Sequence, residues 1–567
     1  MRVIVRIFTL LILFACNAIA QSSYVPLGSY TMHVLDRMEI KQGFLAEPSE
    51  FNTTTKAYLR YRIADFALKI DSTIPNLSPQ DRFNCDYLKI DNFEYSHAPE
   101  SKSKKQFKNM GIYREKAALY SVQIPDFDLI VNPVLYLRGE YDSKRNDRLP
   151  YFVNRGLNIR GRIGKHISFF TEVAEEIQSL NWWNLDYYLQ NGVLAGQNFI
   201  NTNTFKPNES ILFSYWNASG YIAFQAGKYF DLQFGHGKNF IGNGYRSLMR
   251  SDFSTNNLFF RANTRIWKIN YTNIYGYLYD YVPLVTRADA IKQHYYATTY
   301  ANVNVTKNLN IGLFETTVFS RDSGYEHTGY DLQYLNPIIF YNAIDNGRNS
   351  PDKNILGIDF KYNFLKKYQL YGQFVLSEMN IFKRLTQPDW WGQKEAYQIG
   401  AKLIDFLGVN NLDIQLEYNQ ARPYSYTSFN PKNAYVNYRQ SMAHPLGANF
   451  REGLTIIKYQ PTNKLFLNTL VSYSIYGNDT NGSNWGKNIA LSYDSRMREF
   501  GNFIGQGVAT SMLIIAPTAS YMLKHNFFID LQLSYRSVKS KLAIFESEML
   551  NLGVAIRWNI NMRECNY

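Results

Sequence analysis

The chain has 567 residues, long enough for more than one ordinary domain, and it carries 45 Tyr and 38 Phe while only 19% of its residues are charged. Such an aromatic-rich, charge-poor composition is unusual for a cytosolic enzyme. The formal net charge of +13 indicates contact with anionic surfaces, glycans or nucleic acid. Because the basic residues are scattered rather than clustered, we expect no nucleic-acid partner.

The first twenty residues predict export. Two arginines precede a short apolar run, and Ala18-Ile19-Ala20 supplies the small residues of a cleavage site. A membrane anchor would need a longer apolar stretch. A lipoprotein anchored through Cys16 is disfavoured because bulky Phe14 stands where a small or β-branched residue is expected. We therefore expect residues 1–20 to be a signal peptide that is removed.

Cleavage at this site leaves two cysteines, Cys85 and Cys565. A single disulfide between them is possible, but two cysteines cannot build a disulfide framework. No CxxC spacing and no pair of histidines four residues apart indicates a metal site. We expect neither a metal ion nor a cofactor.

Residues 21–125 predict a small, partly helical periplasmic segment. The stretch "TTTKAYLRYRIADFALKID" (53–71) suits a helix capped by threonine. A second helix is predicted to begin at Ser78, with Pro79 at its first position and Asp81 in its first turn. The polar stretch 96–110 resembles a linker.

From about residue 131 to 560 the chain repeats short stretches in which apolar and polar residues alternate. "LDIQLEYNQ" (412–420) and "FFIDLQLSYRS" (527–537) show this period of two, which is typical of strands with one apolar face. No segment of the mature chain reaches the eighteen or so apolar residues of a membrane helix. A soluble antiparallel sheet has the same alternation.

Three features favour a membrane barrel over that soluble sheet. The export signal places the chain outside the cytoplasm, and the aromatic residues gather near predicted strand ends, where interfacial girdles belong. In "LNIRGRIG" (157–164), Arg160 and Arg162 share one strand face. Each would cost about 2–4 kcal/mol on the lipid face near the midplane, so we expect them in the lumen and Leu157 and Ile163 toward lipid.

The predicted fold is therefore all-β: a transmembrane, outer-membrane antiparallel β-barrel over residues 126–567, in the cell outer membrane of a Gram-negative bacterium. Allowing about 24 residues for each strand and its connection gives about 16–18 strands, an even number that brings both barrel ends to the periplasm. Six long polar segments are the candidate extracellular loops: 176–208, 235–258, 320–353, 379–395, 420–451 and 477–487.

The glycine-rich stretch "FGHGKNFIGNGYRSLMRSD" (234–252) looks like a phosphate-binding loop, but its context differs. There is no GxxxxGK[ST], and strand-like alternation follows where a phosphate loop needs a helix. A barrel wall that bends inward also needs positions without Cβ. We expect 235–244 to be an infolded turn that places Arg246 and Arg250 toward the lumen. No catalytic motif occurs elsewhere, so we expect no enzyme.

Six residues are candidate glycan contacts. Trp182-Trp183 and Trp390-Trp391 are aromatic pairs near aspartates, and aromatic faces stack on sugar rings. The alternative for these tryptophans is girdle or loop packing. Arg246 and Arg250 suit an anionic glycan in the barrel mouth, or a salt-bridge network that braces the wall.

The stretch "GKYFDLQFGHGKNFIGNGYRSLMRSDFSTNNLFFR" (227–261) resembles the glycine-rich signature of the RemB group of gliding-motility proteins, within the wider Wzi-like capsule-assembly outer-membrane barrels. Further ordered blocks at 266–276, 304–319 and 334–362 are similar too, so the resemblance covers most of the chain from about residue 110. It implies a barrel of about 18 strands with helices at the periplasmic end. It implies no catalytic residues.

The function implied is non-enzymatic: attachment or assembly of surface polysaccharide (capsule), or support of gliding motility at the cell surface. The partners would be outer-membrane lipid and lipopolysaccharide, a surface polysaccharide and gliding-machinery proteins. A porin-like diffusion channel is the alternative.

Overall fold

A computed structural model describes residues 22–46, 52–75, 77–104, 111–145, 149–197, 212–280, 292–320, 322–323, 326–327, 329–345, 351–378, 383, 386–480, 482–563 and 567. The predicted signal peptide and Cys565 lie outside the described residues. Cys85 is buried in a helix near the N-terminus. The signal peptide and the disulfide therefore stay predictions.

The described part of the chain contains a closed antiparallel barrel of eighteen strands, as the alternating pattern predicts. Each strand pairs with its neighbour in the sequence, and the last closes on the first between Asn551–Trp558 and Leu135–Asp142. The strands are β1 (Phe127–Asp142), β2 (Tyr151–Ile163), β3 (Ile167–Ser179), β4 (Leu212–Ala226), β5 (Phe230–Gly237), β6 (Asn257–Ile266), β7 (Ile269–Asp280), β8 (Lys292–Asn304), β9 (Leu309–Phe319), β10 (Lys353–Phe364), β11 (Tyr368–Glu378), β12 (Lys394–Leu403), β13 (Leu412–Ala421), β14 (Phe450–Thr462), β15 (Leu465–Asn478), β16 (Val508–Lys524), β17 (Phe527–Ser540) and β18 (Ser547–Trp558).

Strand β2 shows how the alternation sorts side chains between lipid and lumen. Leu157 is 51% exposed and Ile163 52% exposed on the outer surface, whereas Arg160 is only 4% exposed. Arg160 forms an ion pair with Glu94 at 3.0 Å, and Arg162 forms one with Asp128 at 2.8 Å. The prediction that both arginines face inward is confirmed, because their partners lie on that side of the wall.

The two ends of the barrel differ in the length of their connections. At one end, the short-turn end, consecutive strands are joined by two to eight residues. At the other, the long-loop end, lie all six predicted loops. The last of these loops is longer than the predicted 477–487, because the next barrel strand begins only at Val508. The apolar residues after 487 pack against the preceding loop, where the Ser492 hydroxyl donates to the Phe429 carbonyl at 2.7 Å.

Helices near the N-terminus precede the barrel: α1 (Tyr30–Gln42), α2 (Arg60–Thr73), α3 (Pro79–Asp91) and α4 (Phe93–Ser96). The predicted start of α3 is confirmed, because Ser78 and Asp81 form a capping box with Pro79 at the first turn. The helix predicted over 53–71 begins at Arg60, seven residues after its predicted start.

Tertiary contacts explain that late start. The Thr53 hydroxyl bonds to Glu39 at 3.0 Å, and the Thr54 hydroxyl donates to Asn243 at 3.2 Å, so neither threonine caps the helix. Thr55–Lys56 instead forms a two-residue strand with Phe240–Ile241. Here the tertiary contacts of the threonines override the local signal for a helix cap.

The N-terminal segment (residues 22–104) packs against the lumenal side of the wall near the short turns. Apolar residues of α1, α2 and α3 form one buried cluster with Met522 and Phe528 of the wall. Arg37 of α1 bonds to Asp81 of α3 at 2.8 Å, to Asp405 in a short turn at 2.5 Å, and to Asp413 of β13. This segment therefore plugs the short-turn end of the lumen. Two shorter helices, α5 (Trp182–Asn191) and α6 (Tyr341–Asp345), lie at the long-loop end.

Candidate functional site

The glycine-rich loop between β5 and β6 folds into the lumen. Ile241, Leu248 and Met249 are fully buried in a cluster with wall residues and with the loop between β13 and β14. The backbone N–H of Gly242 donates to the Thr54 carbonyl at 3.0 Å, which joins this loop to the N-terminal segment. The predicted infolded turn is therefore present, and its residues reach the middle of the barrel.

Two glycines of this loop occupy positions that exclude a side chain. Gly242 has a φ of 142°, in the range that favours glycine. A Cβ on Gly244 would lie 2.5 Å from a Glu417 carboxylate oxygen and 2.7 Å from the Arg246 carbonyl. The glycines serve close packing against the wall rather than a phosphate.

Arg246 and the backbone beside it are held by two wall carboxylates. Its guanidinium pairs with Glu452 of β14 at 3.3 Å, and its backbone N–H donates to Glu417 of β13 at 3.1 Å. The Glu452 carboxylate also forms a hydrogen bond with Nε2 of His444, in the β13–β14 loop, at 2.7 Å. Although burial opposes it, the Glu452 carboxylate raises the pKa of Arg246. This cluster braces two infolded loops against the wall.

Arg250 lies deeper and contacts neutral groups. Its guanidinium donates to Asn257 at 3.1 Å and to the Tyr296 hydroxyl at 3.2 Å, and it stacks 4.4 Å from the centre of the Tyr296 ring. Only 1% of the residue is exposed, so it is closed to a glycan in this conformation. Arg246 and Arg250 are both lumenal as predicted, and their surroundings correspond to the bracing alternative.

The two tryptophan pairs lie in different environments. Trp182 and Trp183 begin α5, where the backbone N–H of Trp182 donates to Asp142 at 2.6 Å. The Arg536 guanidinium lies 3.6 Å from the centre of the Trp183 ring, on the inner side of β17. This pair therefore contributes to loop and lumen packing at the long-loop end.

Trp390 and Trp391 form a second aromatic cluster, at the mouth of the long-loop end. Both indole N–H groups donate to one oxygen of Glu499, at 2.7 and 2.9 Å, and Arg496 pairs with the other oxygen at 2.7 Å. Although burial opposes it, hydrogen bonds from both indoles and Arg496 lower the pKa of Glu499. The carboxylate therefore stays charged.

Within this cluster the two indoles differ in accessibility. Trp391 is 9% exposed and is enclosed by Lys394 at 4.4 Å, Arg496 at 4.3 Å and the Tyr493 ring at 4.9 Å. Trp390 is half-buried, with the Lys383 ammonium 4.0 Å from its ring centre. Trp182, Trp183 and Trp390 are all half-buried, and Trp390 combines its aromatic face with a basic group, Lys383, and an acidic group, Glu499.

A cavity of about 690 Å³ lies in the lumen between the N-terminal segment and the infolded β5–β6 loop. Lys56 and Asp36 line it from the N-terminal segment, Lys238 and Asp252 from the loop, and Lys458 from the wall. Neither Lys56 nor Lys238 carries a sequence motif, and sequence reasoning missed both. The only signal was that Lys238 stands within the glycine-rich stretch.

Within the described part of the chain, no group of three or more His, Cys, Asp or Glu side chains could hold a metal ion. The described helices also include none long and apolar enough to cross a membrane.

No protein-family model matches the chain, and no curated protein matches it. Among solved structures, it is similar over 95% of its length to the whole of Wzi from Escherichia coli, an outer membrane protein involved in group 1 capsule assembly and a carbohydrate-binding β-barrel, with a TM-score of 0.56 and 11% identity. OprD of Pseudomonas aeruginosa (TM-score 0.39, 9% identity) and OccAB2 of Acinetobacter baumannii (0.41, 10%) each match 76% of this chain, over 94% and 98% of their own.

The closed barrel and this likeness in fold define the class: the chain is an outer-membrane β-barrel of the Gram-negative type. Within that class its architecture is Wzi-like, with helices near the N-terminus packed against the barrel.

Proposed function

We propose that this barrel is a non-enzymatic protein that attaches or assembles surface polysaccharide at its long-loop end. The observation that carries the proposal is the Trp390 cluster. A half-buried indole lies beside an ammonium group, Lys383, and a charged carboxylate, Glu499, at the mouth of the barrel. Aromatic faces stack on sugar rings, and charged groups take sugar hydroxyls.

Three further features support the proposal. The fold is shared with Wzi, itself a carbohydrate-binding barrel. The ordered sequence blocks from residue 110 resemble the capsule-assembly barrels. The outer surface of the wall exposes many apolar side chains, as a face directed toward lipid and lipopolysaccharide would require, and this leaves the loops as the face for a glycan.

A porin-like channel is the second candidate, and the filled lumen argues against it. The N-terminal segment occupies the short-turn half, and the β5–β6 and β13–β14 loops fill much of the long-loop half. Stable conductance of the purified protein in a planar bilayer would favour the channel. Silence would leave the attachment role.

Support of gliding motility rests on the resemblance of residues 227–261 to the RemB group. Its partners would be gliding-machinery proteins at the cell surface. Loss of colony spreading in a deletion strain whose polysaccharide stays attached would favour this role over attachment.

The decisive experiment compares cell-bound with shed polysaccharide in a deletion strain and its parent. Attachment predicts that the deletion raises the shed fraction and that the intact gene reverses the change. An unchanged ratio would remove the polysaccharide role.

A pair of variants then tests the proposed site. Trp390→Ala should raise the shed fraction toward that of the deletion strain. Trp267→Ala is the matched control, because Trp267 is 71% exposed but lies in a turn at the opposite end. Equal effects of the two substitutions, at equal amounts of folded barrel, would show that the Trp390 cluster is not the attachment site.

A further inference from the structure

The lumenal cavity carries an excess of positive charge. Its volume of about 690 Å³ falls within the range of small-molecule sites. Three acidic residues line it: Asp36, Asp252 and Asp413. Nine basic residues line it: Arg37, Lys56, Arg138, Lys238, Arg246, Lys402, Lys458, Arg557 and Arg563.

Most of this positive charge is neutralised within the protein. Each of the five arginines pairs with a carboxylate; the longest of these pairs is Arg138 with Glu140 at 3.6 Å. Lys402 pairs with Asp36 at 2.6 Å. Three lysines are left, of which Lys458 also has an interaction partner within the protein.

Two of these lysines have spare hydrogen-bonding capacity. Lys238 donates to the Asp252 carbonyl at 3.0 Å, which uses one of its three N–H groups. The Lys56 ammonium lies 4.6 Å from the centre of the Phe240 ring. Within the described residues neither forms an ion pair with a carboxylate. Burial lowers the pKa of Lys56 to about 8; the positive charges of Lys402 and Lys458 add to this shift, and Asp36 opposes it. A bound anion would therefore stabilise the charged form of Lys56.

The cavity extends toward the long-loop end, where a surface glycan would arrive. Asn217 and Asn256 line that side, and side-chain amides bond readily to sugar hydroxyls. The opposite side is closed by the N-terminal segment. The site is therefore lined by polar residues toward the long-loop end and by basic residues deeper in the lumen.

We propose that this cavity binds an anionic saccharide segment, with Lys56 and Lys238 holding its carboxylate or phosphate groups. The inference rests on the proposed function for the nature of the ligand, but it concerns a separate site from the Trp390 cluster. A uronic acid of a surface polysaccharide and a sugar phosphate of lipopolysaccharide share the chemistry that the lysines recognise.

The test titrates the purified full-length barrel in detergent with trigalacturonate by calorimetry. Maltotriose is the neutral control of equal length, and glucose 1-phosphate represents the phosphate source. We expect trigalacturonate to bind and maltotriose not to bind. Binding of glucose 1-phosphate in place of trigalacturonate would assign the site to phosphate. Equal binding of maltotriose, or binding of neither anion, would overturn the proposal.

Variants locate the binding. Lys56→Gln and Lys238→Gln should each weaken anion binding about 10- to 100-fold, as the loss of a charged hydrogen bond does. Lys307→Gln, at an exposed turn, should leave it unchanged. Asp252→Asn removes a carboxylate from the lining and should strengthen binding several-fold, so the proposal stays testable if a lysine variant fails to fold. Unchanged affinity in Asp252→Asn and in either folded lysine variant would overturn it.

The two proposals fail separately. Polysaccharide shedding by the deletion strain without anion binding by the purified protein would keep attachment and remove the cavity site. Anion binding without shedding would do the reverse.

Discussion

At the short-turn end, helices are held to the barrel wall by buried ion pairs centred on one arginine, whereas at the long-loop end the loops combine one ion pair, Arg246 with Glu452, with hydrogen bonds to Glu417 and close packing. Arg37 contacts three aspartates from separate parts of the chain. Gly244 instead lets a backbone lie directly against Glu417. One end therefore depends mainly on charge balance and the other also on the absence of side-chain volume, and substitutions should separate the two.

The largest expected effect is at Arg37. Arg37→Met removes the cation that Asp81, Asp405 and Asp413 share and leaves Lys41 paired with only the first two; breaking a buried ion pair costs about 3–5 kcal/mol. We expect the N-terminal segment to detach while the wall persists, measured as faster hydrogen exchange and trypsin cleavage in α1. Arg82→Met, at an exposed position of α3, should change neither. An α1 as protected in Arg37→Met as in the parent would contradict charge balance as the cause.

A smaller effect is expected at the glycines of the infolded loop. Val at 242 or 244 places atoms where Gln373 or Glu417 already lies, and overpacking costs about 1–3 kcal/mol. We expect a lower yield of folded barrel, measured by heat-dependent migration on gels. Gly453→Val is the matched control, because a Cβ at that strand position meets nothing within 4 Å. Normal assembly of both loop variants would show that the turn tolerates volume.

The smallest effect is a pH dependence in the docking of the β13–β14 loop. Burial lowers the pKa of His444 below its ordinary value of 6.5, although Glu452 opposes this shift. A released loop would therefore bind a proton more readily than the docked loop once the pH falls below 6.5. Docking should weaken by at most about 1.4 kcal/mol per pH unit below that value.

Protease cleavage within 422–449 measures this dependence. Cleavage should increase between pH 7 and pH 5 in the parent and stay level in His444→Gln, and the two proteins are compared at each pH so that the pH dependence of the protease itself cancels. Greater protection at pH 5 would mean that pairing with Glu452 outweighs burial.

The sequence predicted the wall well, because alternation, lumenal arginines and loop lengths are local properties. Arg160 faces the lumen since the opposite face would place it in lipid, and Ser78 caps α3 through Asp81 only three residues away. The predicted start of α2 was wrong because Thr54 bonds to Asn243, which is 189 residues further along the sequence.

The candidate site was less predictable for the same reason. Trp390 and Trp391 share Glu499, more than 100 residues along the chain, so their difference in accessibility has no signal in the pair itself. The Arg246 partner Glu452 is more than 200 residues away. Residue type predicted the kind of chemical group that these side chains contact, but only the closed barrel brings the partners together.

The contacts of the N-terminal segment also have a consequence for the order of assembly. Glu94 pairs with Arg160 of β2, whereas Tyr87 bonds to Asn526 in the turn before β17. Asn561, beyond the last strand, donates to the Leu27 carbonyl at 2.7 Å. These groups converge only after the cylinder has closed. A segment that leaves the ribosome before the barrel strands is therefore among the last to reach its final place, where it ties the two ends of the wall together.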